Sequence, residues 1–232
     1  MTATGEALTA AMASTPILRG VTAKEIDGLA GAGTTHRFRR GTYICHQGDP
    51  SPDVYFLVQG RIEISSFSPT GSRILHATVD TPQFLGELGV LGDLPRSADL
   101  LTLDDSEVWS CPGEGFISFV TGQPSVAHHL LSALARQIQE HQAFADDLLY
   151  LDLKGRVAKR LLQMGTPSLD DLPAAGTSVK ALTHADLASL CGGSRENVTR
   201  IITDLQRRGL VRRDGGRYLL QKPQQLAKIA GL

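Results

Sequence analysis

Only three cysteines occur in the 232 residues, Cys45, Cys111 and Cys191, far apart and without a CxxC pair. That excludes a disulfide framework and a cysteine-type structural zinc site, and it points to a reducing, cytoplasmic setting. No apolar run approaches the length of about 18 residues that a membrane span requires, so no membrane partner is expected. The Ala/Thr-rich residues 1–15 lack a basic start followed by an apolar core, and are expected to be a disordered or frayed end rather than a signal peptide. There is no HxH pair either: His36, His46 and His76 stand apart, which leaves a cupin-like metalloenzyme as a remote alternative. Neither catalytic residues nor metal ligands are expected.

What the chain does have is a split in its charge. From Lys180 onward there are ten Lys or Arg against four Asp or Glu, whereas the first 179 residues carry thirteen against twenty. A net charge of −1 therefore conceals an acidic body and a basic tail, the pattern of a chain whose end meets an anionic partner.

A long helix is expected from Pro124 to about Tyr150. Steps of four and three give Ala127, Leu131, Leu134, Ile138, His141, Ala145 and Leu148, an apolar seam of heptad type interrupted by one histidine. About 26 residues rising about 1.5 Å each make a rod of about 39 Å. Such a rod either pairs with a second copy or packs on its own domain.

Before the rod the period is that of strands. Thr22 and Glu25 form a capping-box pair in a helical entry over Pro16–Leu29. Short β-rich runs then follow at Tyr43–Cys45, Val54–Val58, Arg61–Ser65, Arg73–Val79, Leu100–Leu103 and Glu107–Cys111. Turn signals separate them at Gly41, Gly48-Asp49, Gln59-Gly60, Pro69-Thr70-Gly71 and Asp104-Asp105. That rhythm is the one of a sandwich or jelly-roll barrel. Phe84–Ala98 breaks it with three glycines, Glu87, Arg96 and Ser97. This is either an anion cradle, with amides and a guanidinium fork, or a solvated loop in which Arg96 pairs with Asp93 or Asp99.

After the rod, Asp152 can cap a helix over Leu153–Met164 that buries Val157, Leu161 and Leu162 and is closed by Gly165 and Pro167. A surface loop follows over Thr166–Thr177. Thr183, with Asp186 three residues on, caps one helix; Cys191-Gly192-Gly193 turns; Ser194 caps a second running to Gly209. Together they read as a helix-turn-helix whose outward face offers Arg195, Glu196, Thr199, Arg200 and Asp204. Leu210–Leu220 reads as a hairpin with arginines on both sides of an Asp-Gly-Gly turn, the shape of a wing.

These residues resemble the cyclic-AMP receptor and fumarate–nitrate reduction regulator family of bacterial transcription factors, from about Ile17 to Leu220. Gly86-Glu87-Leu88 followed by Arg96-Ser97-Ala98 resembles the family's phosphate-binding cassette. Ser194-Arg195-Glu196-Asn197-Val198-Thr199-Arg200 resembles its recognition helix, and Leu151–Arg156 its hinge. The resemblance implies an α+β chain: a β-roll domain (a double-stranded β-helix, jelly-roll-like) over 16–123, a dimerisation helix over 124–151, and a winged helix-turn-helix over 152–232.

It also implies a homodimer controlled by cyclic AMP without a covalent cofactor. Arg96 and Ser97 would bind the cyclic phosphate, Gly86 and Leu88 shape the pocket beside Ala98, and Glu87 accept from the ribose hydroxyl. Counting back from the hinge puts His141 and Gln142 at the adenine; His141 serves there or as a polar register residue of the seam. Arg195 and Arg200 would read guanine edges and Glu196 a cytosine amine, with Asn197 and Thr199 in supporting contacts. Thr183, Ser194, Arg212, Arg213 and Arg217 complete a surface for palindromic double-stranded DNA, and RNA polymerase is a further implied partner. His184 stands where the family places a positive residue. The alternatives are another nucleotide, a haem-bound gas with His76, His128, His129 or Cys111 as candidate ligands, or DNA binding without any effector.

Overall fold

The alternation of short apolar runs and turn residues before the rod builds two antiparallel four-stranded sheets. The computed structural model describes residues 3–68, 71, 73–166 and 168–232, so the expected turn at Pro69-Thr70 and the helix-closing Pro167 lie outside the described residues. One sheet has the order β1 (Thr34–Phe38), β8 (Ser106–Pro112), β3 (Asp53–Gln59), β6 (Gln83–Leu85). The other runs β2 (Tyr43–Cys45), β7 (Asp99–Thr102), β4 (Ile62–Phe67), β5 (Arg73–Val79). Neither β1 nor β6 stands out as an apolar run; register against β8 and β3 makes them strands. Leu57, Ile62, Leu85, Leu100 and Val108 form one core cluster of this β-roll.

A second cluster gathers helices against the β1-β8-β3-β6 sheet, and it corrects the reading of the N-terminus. Residues 3–13 are not frayed: they form α1 (Ala3–Ala13), whose Leu8 and Met12, four apart, are buried with Leu18, Ile26 and Leu29. A short 3-10 turn (Pro16–Leu18) leads to α2 (Ala23–Gly31), where the Thr22–Glu25 capping box forms in both directions. Trp109, the single tryptophan, is fully buried and donates to the carbonyl of Ala30 at 3.0 Å. A short α3 (Glu87–Gly92) follows β6, and α4 (Gly113–Gly122), which the sequence reading passed over, buries Phe116 and Val120.

α5 (Pro124–Tyr150) is one helix of 27 residues. Two compact units meet within it, Met1–Ile138 and Gln139–Leu232. Its first turns pack on the first unit through Val126 and Leu130, joined by the partly buried seam residues Ala127 and Leu134. Further along the seam, Leu131 is 66% and Ile138 57% exposed, and Leu148 is exposed as well.

In the second unit α6 (Leu153–Gln163) is capped by Asp152, whose Oδ1 accepts from the amide of Gly155 at 2.7 Å. α7 (His184–Cys191) and α8 (Arg195–Arg207) cross through Gly192, whose φ is +63°. The hairpin β10 (Val211–Asp214) and β11 (Arg217–Leu220) turns over Gly215-Gly216, and β9 (Thr177–Lys180) adds a third strand to it. A final helix, α9 (Pro223–Ile229), covers α6 with Leu226 and Ala227.

Candidate ligand pocket and nucleic-acid interface

The cassette residues of the first unit converge on Arg96. β6 ends at Leu85, and Gly86, at φ +77°, starts α3 from the left-handed region, so the carbonyl of Gly86 turns toward the β3 strand. Arg96 is 4% exposed. Its Nη1 donates to the Gly86 carbonyl at 2.9 Å and its Nη2 to the Asp53 carbonyl at 2.6 Å, and the guanidinium lies 4.8 Å from the centroid of the Tyr55 ring. Nε is buried without a partner. Asp93 and Asp99 do not pair with it among the described residues: Asp99 accepts from the amide of Gln47 at 2.6 Å and lies 3.7 Å from His46. Of the two readings of this segment, the solvated loop with an Arg–Asp pair is the one the geometry opposes.

Glu87 sits half-buried in the first turn of α3. Burial raises its pKa, against the opposing pull of its own amide and of Arg96. Leu88 and Ser97 are exposed and Ala98 is half-buried. The structure thus joins Gly86, Glu87 and Arg96 directly and brings Ser97 and Ala98 by chain continuity. His141 and Gln142 are exposed on α5 and belong to the second unit. Tyr55 and the Asp53 carbonyl were not legible beforehand. Their only signal is the place of β3 beside β6, which pairs Tyr55 with Leu85, the residue before Gly86.

In the second unit the helix-turn-helix presents Arg195, Glu196, Asn197, Thr199 and Arg200 to solvent while Val198, Ile202 and Leu205 are buried. Asp204 departs from the expected outward face: it holds Lys154 of α6 at 2.7 Å and Arg207 at 2.9 Å. These hydrogen bonds, Lys154 first, lower its pKa. Thr183 and Ser194 are caps, accepting from the amides of Asp186 at 3.0 Å and Asn197 at 3.3 Å. On the hairpin Arg212 and Arg213 are exposed, and Arg217 is tied back to Ser178 through Oγ at 2.5 Å and the carbonyl at 3.0 Å.

Thr183, Arg195 and Arg213 line one cavity of about 410 Å³ together with Leu182, His184 and Ala185. Arg195 at the start of α8 and Arg213 on β10 thus bring two guanidinium-bearing residues to one concavity, a combination chemically suited to an anion. Arg156, the last residue of the expected hinge, ties the chain just after α5 to this motif: it donates to the carbonyls of Leu151 at 2.6 Å, Cys191 at 2.7 Å and Gly192 at 3.2 Å. Asp147 near the end of α5 adds an ion pair to Lys159 at 2.6 Å.

Two family models divide the chain as the two sites do. A cyclic nucleotide-binding domain matches residues 35–122 and a Crp-like helix-turn-helix domain residues 155–229. The chain belongs to the CRP/FNR family. It is similar to a CRP-like cAMP-activated global transcriptional regulator of Mycobacterium tuberculosis, 28% identical over 94% of this chain and 98% of the relative. Among solved structures it resembles the Thermus thermophilus catabolite activator protein, 27% identical at a TM-score of 0.56 over 94% of this chain and 99% of that one. The c-di-GMP responsive regulator CLP of Xanthomonas campestris shares the fold, 21% identical with a TM-score of 0.71 over 86% and 99%.

As a CRP/FNR protein the chain is a cyclic-nucleotide-responsive, DNA-binding transcription regulator and not an enzyme. Among the described residues no helix is long and apolar enough to cross a membrane, and no three His, Cys, Asp or Glu side chains could hold a metal ion.

Proposed function

We propose that this regulator is a homodimer that takes cyclic AMP in the Arg96 pocket and binds palindromic double-stranded DNA through α8 and the β10–β11 wing. The observation that carries the reading is Arg96 itself: a cation 4% exposed, with one nitrogen unpartnered and its plane against Tyr55, beneath a glycine that leaves room for nothing larger. A buried guanidinium costs desolvation, and an anion bound beside it offsets that cost. The exposed Ser97 hydroxyl and the half-buried Glu87 supply a donor for a phosphate oxygen and an acceptor for a ribose hydroxyl. Effector binding acts through tighter affinity for the DNA-competent state, and the RNA polymerase contact implied by family membership follows from it.

One observation favours a second reading. Both Nη groups of Arg96 already donate to backbone carbonyls, so the arginine could serve β3 and α3 as a brace while the protein answers to another cyclic nucleotide. Calorimetric titration with cyclic AMP, cyclic GMP and c-di-GMP, on the wild type and on Arg96→Ala, separates the two. Micromolar cyclic AMP binding lost in the variant supports the pocket; absence of heat with cyclic AMP removes it as the effector.

A further inference from the structure

His184 stands at the first position of α7, and both of its ring nitrogens are engaged. Nδ1 lies 2.9 Å from Oγ1 of Thr199 on α8, and Nε2 lies 3.3 Å from the hydroxyl of Tyr218 on β11. One arrangement of protons satisfies every contact in this chain. The Thr199 hydroxyl donates its single proton to the carbonyl of Arg195 at 2.8 Å, so toward His184 it can only accept. Nδ1 therefore carries a proton, and in the neutral ring Nε2 accepts from the Tyr218 O–H. One tautomer joins three elements that no backbone hydrogen bond joins in the same place.

The charged groups around the ring favour that neutral form. Arg195 of α8 and Arg213 of β10 line the same cavity as His184, and the carboxylate on its own helix, Asp186, accepts from the hydroxyl of Thr183 at 2.7 Å. Burial first, then Arg213 and Arg195, lower the His184 pKa. A second proton on the ring would add a third positive charge there and would force the Tyr218 hydroxyl, on a side chain 1% exposed, to reverse.

We propose that neutral His184 is a positioning residue for DNA binding: it clamps the start of the recognition helix to the wing, so that Arg195 and Arg213 face one phosphate together. This rests on the reading that α8 and the wing face DNA. It differs from a direct role in which His184 supplies a positive charge to the backbone, because both nitrogens are committed within the protein.

The two roles predict opposite results. With a duplex that the wild type selects from a random-sequence library, the clamp requires that His184→Ala lose about tenfold in affinity with an unchanged salt slope. Loss of a phosphate contact would instead reduce that slope by about one. His184→Gln, which keeps a polar atom near the Nε2 position for Tyr218, recovers most of the affinity, whereas His184→Lys does not; a lysine that matches or exceeds the wild type overturns the proposal. Tyr218→Phe should weaken binding in the wild type and have little further effect in His184→Ala, and additive losses would count against the clamp. Nitrogen NMR shifts of the free protein near pH 7 should show the Nδ1–H neutral tautomer; a protonated ring or the Nε2–H form contradicts it. Arg195→Ala serves as the control: if it leaves DNA affinity intact, the reading of α8 has failed, whatever the histidine does.

Discussion

The carbonyl of Gly86 accepts from Nη1 of Arg96 at 2.9 Å, and the same glycine has no space for a side chain, since a β-carbon there would overlap Nη1 and lie 3.2 Å from Cζ. Residues ten apart in sequence thus share one volume, and the left-handed φ of Gly86 is what lets its carbonyl reach the guanidinium. Gly86→Ala should cost about 1–2 kcal/mol from backbone strain alone and displace Arg96. Thermal unfolding together with cyclic-nucleotide titration checks both effects, and an unshifted unfolding midpoint with full affinity would refute the packing argument.

The ring of Tyr55 lies with its centroid 4.8 Å from the guanidinium carbon of Arg96. Replacing the ring with Leu should remove a cation–π contact of about 1 kcal/mol, close to a fivefold loss of nucleotide affinity. Tyr55→Phe should stay near the wild type. The comparison of Leu with Phe by calorimetry tests the ring and not the hydroxyl.

Burying a carboxylate between two copies of α5 is unfavourable, so Ile138→Glu should shift a dimer toward monomers in analytical ultracentrifugation. Because Ile138 is 57% exposed in the single chain, the fold of each unit should survive. Trp109 fluorescence, which reports only the first unit, should be unchanged; a dimer that persists would place the interface elsewhere.

The lowered pKa of Asp204, held down first by Lys154 and then by Arg207, ties the second unit to pH. A carboxyl whose folded pKa is depressed contributes stability that is present above its ordinary value and lost as pH falls through the lowered one. Protection of the α6 and α8 amides against exchange, taken relative to the unfolded chain at the same pH, should therefore fall below about pH 4. In Asp204→Asn the helices should be looser at neutral pH and less sensitive to acid.

Burial pushes the thiols of Cys45, Cys111 and Cys191 each up to about 11. Almost no thiolate exists at neutral pH, and the sulfurs are covered. Iodoacetamide at pH 7 should label none of the three in the folded protein and all of them in denaturant, as read by mass spectrometry.

Much of this architecture is written locally. Thr22 and Glu25, Thr183 and Asp186, and Ser194 and Asn197 are each three residues apart, and a helix start brings such pairs together whatever the rest of the chain does. The turn at Gly215-Gly216 and the spacing of apolar residues along α5 are equally short-range. By itself, then, the sequence determined the strand-rich region, the long helix and the helix-turn-helix, because caps, turns and periodicity act within a few residues; the grouping of Gly86, Glu87, Arg96 and Ser97 rested on the family resemblance, the residues alone leaving a solvated loop open.

Other features depend on partners that share no period. α1 exists because Leu8 and Met12 find a core formed by α2 and the sheet, although its Ala/Thr composition gives little helical stripe. β6 and β9, of three and four residues, are strands through register alone. Arg96 reaches a carbonyl 43 residues away, Lys154 takes Asp204 across 50, and His184 meets Tyr218 across 34. Only the tertiary structure decided which of these polar groups are free to meet a ligand and which are already spent, because burial obliges each one to find a partner and packing alone chooses which.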